Sequence, residues 1–353
     1  MWSSILFYNG VILISLALLY VSVKVKGQHS SLFGFVGFFM LFLISAIRSG
    51  IGTDYTNYQI IFELIEVDRL DVTIEPFFYL INLVALKLDL SFEFVIAVSS
   101  FLFVYPVVKC CDKKVSIWIC FYVLIYFYIA SFNVVRQGIS IAISSYALYR
   151  LCFFGDKRNF ILLIAISSLF HFTSIIGLIV LLFRKVVFPV WMNLIFVGIF
   201  YFISLKILPL IFNSPLLLDS KYGYYASSRF TDGVELGSGA GFFLSILPYF
   251  FIIIFGKYIF DVAHTRNLAI NASLMMILVK LLTLQVGIFS RVEYSFIFIF
   301  AVIFGELAVR YRKTYLHFSL FIYILLWSIL QFEMLLNSGA HEVMPYQSLL
   351  GTL

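Results

Sequence analysis

The chain reads as an all-α, polytopic membrane protein, and three observations predict that class. Of its 353 residues 63% are hydrophobic and only 12% are charged, with a mean hydropathy of +1.05; soluble domains of this size are not composed that way. Apolar runs close to the roughly 17–25 residues that a helix needs to cross a bilayer recur along the whole chain. Lysines and arginines gather in short clusters between those runs, which is how cytoplasmic loops read.

Taken in order, the apolar segments fall near 4–23, 32–47, 76–88, 92–108, 115–131, 137–154, 160–182, 190–212, 241–260, 268–289, 294–310 and 316–336. The first lacks a basic stretch ahead of it, so it reads as a span and not as a cleavable signal peptide. Lys24/Lys26, Lys109/Lys113/Lys114, Lys157/Arg158, Arg184/Lys185, Lys257/Arg266 and Arg310/Arg312/Lys313 mark the cytoplasmic side. Asp54, Glu63, Glu66, Asp68, Asp71, Glu75, Asp219, Asp232 and Glu235 mark the other. Strict alternation does not bring every basic cluster to one side. It does so if 76–88 is a short outer helix or re-entrant piece, and if 160–182 dips in and returns around Phe170-His171. The expectation is one integral membrane domain over 1–353, with about 10–12 transmembrane helices and re-entrant segments among them. Its longest polar stretches, 48–75 and 213–240, become outer loops.

The net charge of +6 is spread through short loops, so it reports topology and not nucleic-acid binding. The cysteines Cys110, Cys111, Cys120 and Cys152 show no metal or redox spacing and read as reduced and structural. No Walker A, zinc-protease or Asp-x-Asp pattern occurs. That argues against an ATP-driven pump and against a nucleotide-sugar enzyme built on a bound metal, so neither metal nor cofactor is expected.

Four arginines, Arg48, Arg136, Arg229 and Arg291, lie at or beside the ends of apolar runs, on the outer side where the charge rule does not favour them. Charge close to lipid is costly and usually functional, and a guanidinium grips phosphate through a bidentate fork. The pattern points to an anionic, membrane-borne ligand. Around Arg48, the stretch 48–62 supplies Gly50 and Gly52 for tight turns, Asp54 as a carboxylate for proton work, and Tyr55 and Tyr58 as rings of the kind that stack on sugars. Glu75 precedes Pro76 at a helix start, where the dipole favours a carboxylate; the plain alternative makes these residues a turn and a helix cap. Asn133, Arg136 and Gln137 sit at another helix start, followed by a small-residue face of Ser140, Ser144 and Ala147 suited to close packing. His171 lies among apolar neighbours, so it reads as a packing residue or as a base near neutral pH. Tyr222, Tyr224 and Tyr225 precede Arg229 in a loop fit to touch a glycan, and Arg291, Glu293 and Tyr294 join two spans.

At these residues the chain resembles the EpsG/Wzy-like family of bacterial polysaccharide polymerases. The resemblance rests on Arg48, Gly52-Thr53-Asp54-Tyr55, Tyr58, Glu75-Pro76-Phe77, Phe132-Asn133, Arg136-Gln137, Phe170-His171, Ser174 and Met344-Pro345-Tyr346, in that order from 48 to 346. It implies a metal-independent glycosyltransferase with a GT-C-like fold in the bacterial inner membrane, its active site facing the periplasm. The substrate would be a growing O-antigen or exopolysaccharide glycan on undecaprenyl pyrophosphate. Transfer would go to the non-reducing end of another lipid-linked repeat unit, as in lipopolysaccharide biosynthesis. Asp54, Glu75, His171, Arg136 and Arg291 would be catalytic. Arg48, Tyr55, Tyr58, Asn133, Gln137, Tyr225, Arg229, Glu293 and Tyr294 would bind substrate. Membrane lipids and a chain-length regulator would be its partners. An O-antigen ligase is the first rival, but it would carry a large outer loop with a histidine, and neither 48–75 nor 213–240 contains one. A flippase of lipid-linked sugars would line its mid-membrane depth with charge; only Lys206, Lys280 and Glu306 approach mid-span.

Overall fold

A computed structural model describes residues 2–69, 74–112, 117–218 and 239–352. The described chain is helical almost throughout, with one short antiparallel pair, Gln347–Ser348 against Gly351–Thr352. Seven helices are long and apolar enough to cross a membrane: α1 (Trp2–Lys24), α2 (Gln28–Ala46), α5 (Phe92–Lys109), α11 (Val190–Phe212), α13 (Ala240–Ile259), α14 (Ala263–Gln285) and α17 (Tyr315–Ser338). The broken pair Gly287–Tyr294 and Ile297–Arg310 makes an eighth if it counts as one span. The protein is therefore an all-α, multi-pass membrane protein.

The remaining helices are shorter, interrupted or less apolar. They are α3 (Tyr55–Glu66), α4 (Pro76–Lys87), α6 (Trp118–Val123), α7 (Ala130–Asn133), α8 (Val135–Phe154), α9 (Lys157–Ser168), α10 (Val180–Phe183), α12 (Pro215–Leu218), α15 (Ser290–Tyr294) and α16 (Ile297–Arg310). Helix α4, at 12 residues, is shorter than a crossing requires. Segment 160–182 is interrupted at the expected place: α9 ends at Ser168, and a 3₁₀ helix begins at Phe172, beyond Phe170-His171. The polar stretch 48–75 is not a plain loop, because α3 occupies its middle. Of the stretch 213–240, residues 219–238 lie outside the described residues.

The helices fall into two compact units, one of residues 1–177, 297–311 and 325–353, the other of 178–296 and 312–324. In the first, α1 and α2 form a hairpin turned at Gly27, whose φ is 77°. Small residues let them approach closely: a Cβ on Gly37 would stand 3.0 Å from the Ser15 carbonyl oxygen. Helix α8 meets α9 through the small-residue face read from the sequence, with Ser144 Oγ 2.9 Å from Ser167 Oγ. Such a bond contributes only about 0.6 kcal/mol in a bilayer, so the close backbone approach around it matters more. The chain between α6 and α8 passes through a π turn at Leu124–Tyr128 and breaks at Val134, with φ −97° and ψ 65°. A Cβ on Gly138 would come 2.9 Å from Ser131 Cβ, so glycine is what lets the chain fold back there. This break puts Asn133 at the end of α7 and Arg136 at the head of α8.

In the second unit, α11 and α14 pack together and α13 packs against α14, around Ile253, Ile270, Leu274, Ile277 and Leu278. Asn271 Nδ2 donates to Phe183 O at 3.0 Å and Asn267 Nδ2 to Lys185 O at 3.3 Å. These asparagines satisfy carbonyls that the end of α10 leaves without intrahelical donors. Helix α11 carries exposed Phe202 and Leu210, as a lipid-facing helix does.

Candidate functional site

Two polar constellations lie in the first unit. The first is built on the turn after α2. Gly50 and Gly52 adopt φ of 65° and 104°, where side chains are strained. At Gly52 a Cβ would also stand 2.7 Å from the Phe132 carbonyl oxygen, so both conformation and space require glycine. The carboxy-terminal segment runs along this turn. Ser49 N donates to Gln347 O at 3.1 Å, Gly52 N to Glu342 O at 3.2 Å, Thr53 N to His341 O at 3.1 Å, and Leu349 N to Ile47 O at 2.9 Å. Tyr8 Oη donates to Val343 O and Tyr346 Oη to Ile44 O, each at 2.9 Å, holding that segment down. Asn133 ties the turn to the end of α7: its Oδ1 accepts from Thr53 Oγ1 at 2.6 Å and from Asp54 N at 2.7 Å. Its Nδ2 faces His341 Nδ1 at 3.2 Å. Asp54 is half-buried, and its carboxylate does not cap α3.

The second constellation joins three residues read separately from the sequence. Glu75 sits before Pro76 at the start of α4, but its carboxylate makes no capping bond there. Instead Oε2 pairs with Arg136 Nη1, and Oε1 lies 3.3 Å from His171 Nδ1. Phe77 N, donating to Leu169 O at 3.1 Å, fixes the start of α4 against the break that carries His171. The Arg136 guanidinium lies 5.7 Å from the Tyr58 ring and 5.9 Å from Phe78, within cation–π range. Burial alone would raise the Glu75 carboxyl, but the His171 hydrogen bond and the Arg136 charge override it and hold the pKa at about 2. Side-chain exposures of 28% for Arg136, 27% for His171 and 18% for Glu75 leave the cluster open to a ligand. Arg136 Nε and His171 Nδ1 lack a well-aligned acceptor among the described residues, so Glu75 does not saturate them.

Other sequence-read residues take different places. Arg48 is buried, at 2% exposure, and its Nη1 donates to Ser45 O, Ser45 Oγ and Ser100 Oγ, with the guanidinium 4.7 Å from the Phe132 ring. Burial pulls its pKa down to about 10, which still leaves it charged at neutral pH. Tyr55 and Tyr58 are packed in the core, each 5.4 Å from its ring partner, Phe92 and Phe78 respectively; neither offers a free face to a sugar. Burial pushes the Tyr58 phenol up, while Arg136 opposes it, so Tyr58 keeps its proton. Gln137 is buried on α8.

In the second unit, Glu293 accepts from Lys280 Nζ at 2.7 Å and from Thr283 Oγ1 at 2.9 Å. It is thus tied to α14, with Arg291 and Tyr294 beside it in the short helix α15. Tyr225 and Arg229 lie outside the described residues. Among the described residues no group of three or more His, Cys, Asp or Glu side chains could hold a metal ion. The sequence reading missed His341 and Glu342, both in the left-handed region with φ of 65° and 53°. The one signal nearby was Met344-Pro345-Tyr346, three residues further on.

The described chain is thus a helical, multi-pass membrane protein that carries a partly exposed arginine–carboxylate–histidine cluster. The EpsG family model matches residues 31–348, nearly the whole chain, and the protein belongs to the EpsG family. That family points to a polymerase-type role in polysaccharide synthesis. No curated protein and no solved structure matches the chain.

Proposed function

We propose that the protein polymerises a bacterial surface polysaccharide by transferring a growing glycan from undecaprenyl pyrophosphate to the non-reducing end of another lipid-linked repeat unit. The observation that carries this reading is the Glu75–Arg136–His171 cluster, one open arginine and one open histidine on a shared carboxylate, in a member of the EpsG family. The acceptor hydroxyl oxygen bonds to the anomeric carbon of the donor sugar. The bond from that carbon to the phosphate oxygen breaks, and its electron pair leaves with undecaprenyl pyrophosphate. Arg136 offsets the charge that develops on the leaving phosphate, which is where a fixed cation lowers a barrier most. A carboxylate held at about 2 is a weak base, so Glu75 serves better to orient Arg136 and His171 than to take the proton. His171 takes it, with its Nδ1 facing the Glu75 carboxylate at 3.3 Å; Asp54 on the adjoining turn is the carboxylate alternative. Arg48 supports the turn from inside. Arg291 as a catalytic residue, and Glu293, Tyr294, Tyr225 and Arg229 as substrate contacts, enter on the sequence pattern alone.

The reading needs no bound metal, because arginines supply the positive charge. It places the site on the periplasmic face of the inner membrane, where the basic clusters are sparse, and it includes a chain-length regulator as a partner. The test is the surface-glycan ladder of the source bacterium lacking this gene. A lipid carrying a single repeat unit, lengthened again by the wild-type gene but not by Arg136→Ala, is the expected outcome. Loss of even the one-unit band would point to ligation or flipping, and an unchanged ladder would refute the reading.

A further inference from the structure

We propose that His341 is a positioning residue for this site, acting through Asn133 on the turn that carries Asp54. The inference rests on the reading that this turn borders the reaction. It draws the carboxy-terminal segment, 208 residues beyond its partner Asn133 at the end of α7, into the working part of the molecule.

The hydrogen-bond network fixes the chemistry of the contact. A backbone N–H can only donate, so the Asn133 atom 2.7 Å from Asp54 N is its carbonyl oxygen. Thr53 Oγ1 donates to the same oxygen at 2.6 Å. The Asn133 amide nitrogen therefore points at His341, and the ring atom 3.2 Å away, Nδ1, must accept. In this contact Nδ1 carries no proton; a protonated Nδ1 would set two N–H groups against each other. The His341 backbone acts in the same direction, its carbonyl oxygen accepting from Thr53 N at 3.1 Å while Glu342 O accepts from Gly52 N at 3.2 Å. Both residues adopt left-handed φ, 65° and 53°, a conformation that side chains rarely take. Three consecutive backbone amides, those of Gly52, Thr53 and Asp54, are thus held by His341, by its neighbour Glu342, or by the asparagine that His341 orients. Asp54 has no capping bond of its own to fix it. The direction of its carboxylate follows the turn, and the turn follows His341.

The test uses two substitutions that divide the imidazole between them. His341→Asn places an amide oxygen near the position of Nδ1 and keeps an acceptor for Asn133. His341→Gln places an amide near Nε2 and leaves nothing at Nδ1. Both are made in the full-length protein, purified in nanodiscs. The substrate is the undecaprenyl-pyrophosphate-linked repeat unit extracted from the strain lacking this gene. For His341→Gln, kcat should fall about tenfold to a hundredfold with KM within about twofold, because misplacement of a reacting group acts on the chemical step. His341→Asn should stay within about threefold of wild type in kcat. Hydrogen–deuterium exchange of the peptide covering 48–55 supplies a readout that needs no turnover: faster exchange at Gly52–Asp54 in the glutamine variant, near-wild-type exchange in the asparagine variant. Unchanged exchange in His341→Gln would overturn the proposal, and so would loosened exchange with undiminished kcat. A wild-type protein that lengthens no glycan would sink the polymerase reading instead, and the exchange data would then decide the positioning claim alone.

Discussion

Arg48 and Arg136 look alike in the sequence, each a cation at the end of an apolar run, yet the structure gives them opposite surroundings. Arg48 is enclosed, its Nη1 bound to Ser45 and Ser100 and its plane laid against Phe132. Arg136 is partly open and bound to one carboxylate, which it shares with a partly open histidine. A charge enclosed at 2% exposure holds the fold, whereas one left 28% exposed beside a single carboxylate can meet a ligand. Position at a helix end marks both; only the partners separate them. The same distinction applies to carboxylates. Glu75 is held ionised by the His171 contact and the Arg136 charge, while Asp54 is anchored by its backbone and leaves its carboxylate at the head of α3.

The comparison is sharpest in activity. Arg136→Ala should reduce glycan lengthening by at least about a hundredfold, the scale on which loss of one transition-state donor is felt, with membrane insertion and yield unchanged. Arg48→Ala should do the reverse. Removing a buried, hydrogen-bonded cation takes a donor from the Ser45 carbonyl and opens a void beside Phe132, so a loss of about 2–4 kcal/mol in stability is expected. A lower melting temperature in detergent and a smaller folded fraction would show it, with residual activity in what remains folded. If Arg48→Ala left melting untouched and abolished lengthening, the contrast between the two arginines would collapse.

Gly52→Ala tests the turn between them. A Cβ at 2.7 Å from a backbone oxygen, at φ 104°, cannot be absorbed by a side-chain shift. A cost of about 1–3 kcal/mol from conformation alone is expected, together with loss of activity; thermal melting and the glycan ladder would report it. The smallest effect concerns pH. The folded pKa of Glu75, about 2, lies below its ordinary 4.5, so its contribution is complete above about 4.5 and is lost as pH falls towards 2. Glu75→Gln should therefore be destabilised at pH 6, and its deficit against wild type should shrink as melting is followed down to pH 3. A deficit that stayed constant over that range would show that the carboxylate charge is not what holds Arg136 and His171.

Much of the architecture was legible because it follows from local rules. Composition and run length specified a helical membrane protein, Pro76 marked the start of a short helix, and the polar break at Phe170-His171 marked an interruption. The site was legible as single residues and not as a cluster. Glu75, Arg136 and His171 are 61 and 35 residues apart in sequence order, and no periodicity brings them together; the break at Val134 and the docking of Phe77 on Leu169 do so. His171 looked isolated for the same reason, since its carboxylate partner lies nearly a hundred residues upstream. Tyr55 and Tyr58 show the opposite failure. Next to glycines and an aspartate they read as sugar platforms, but α3 turns them both into the core, where their apolar area outweighs any surface role. The contact of the carboxy-terminal segment with the Gly52 turn left only Met344-Pro345-Tyr346 nearby as a signal, because backbone hydrogen bonds leave no residue-type signature.

The most direct test of the central claim is lengthening by the purified protein alone. Wild type and Arg136→Ala, matched for folding by melting temperature, are each given undecaprenyl-pyrophosphate-linked repeat unit in nanodiscs, and the products are separated by length. A ladder from wild type, and unextended substrate from a well-folded Arg136→Ala, is the result expected if this cluster performs the transfer. A ladder of equal length from both proteins, or from neither, would contradict it.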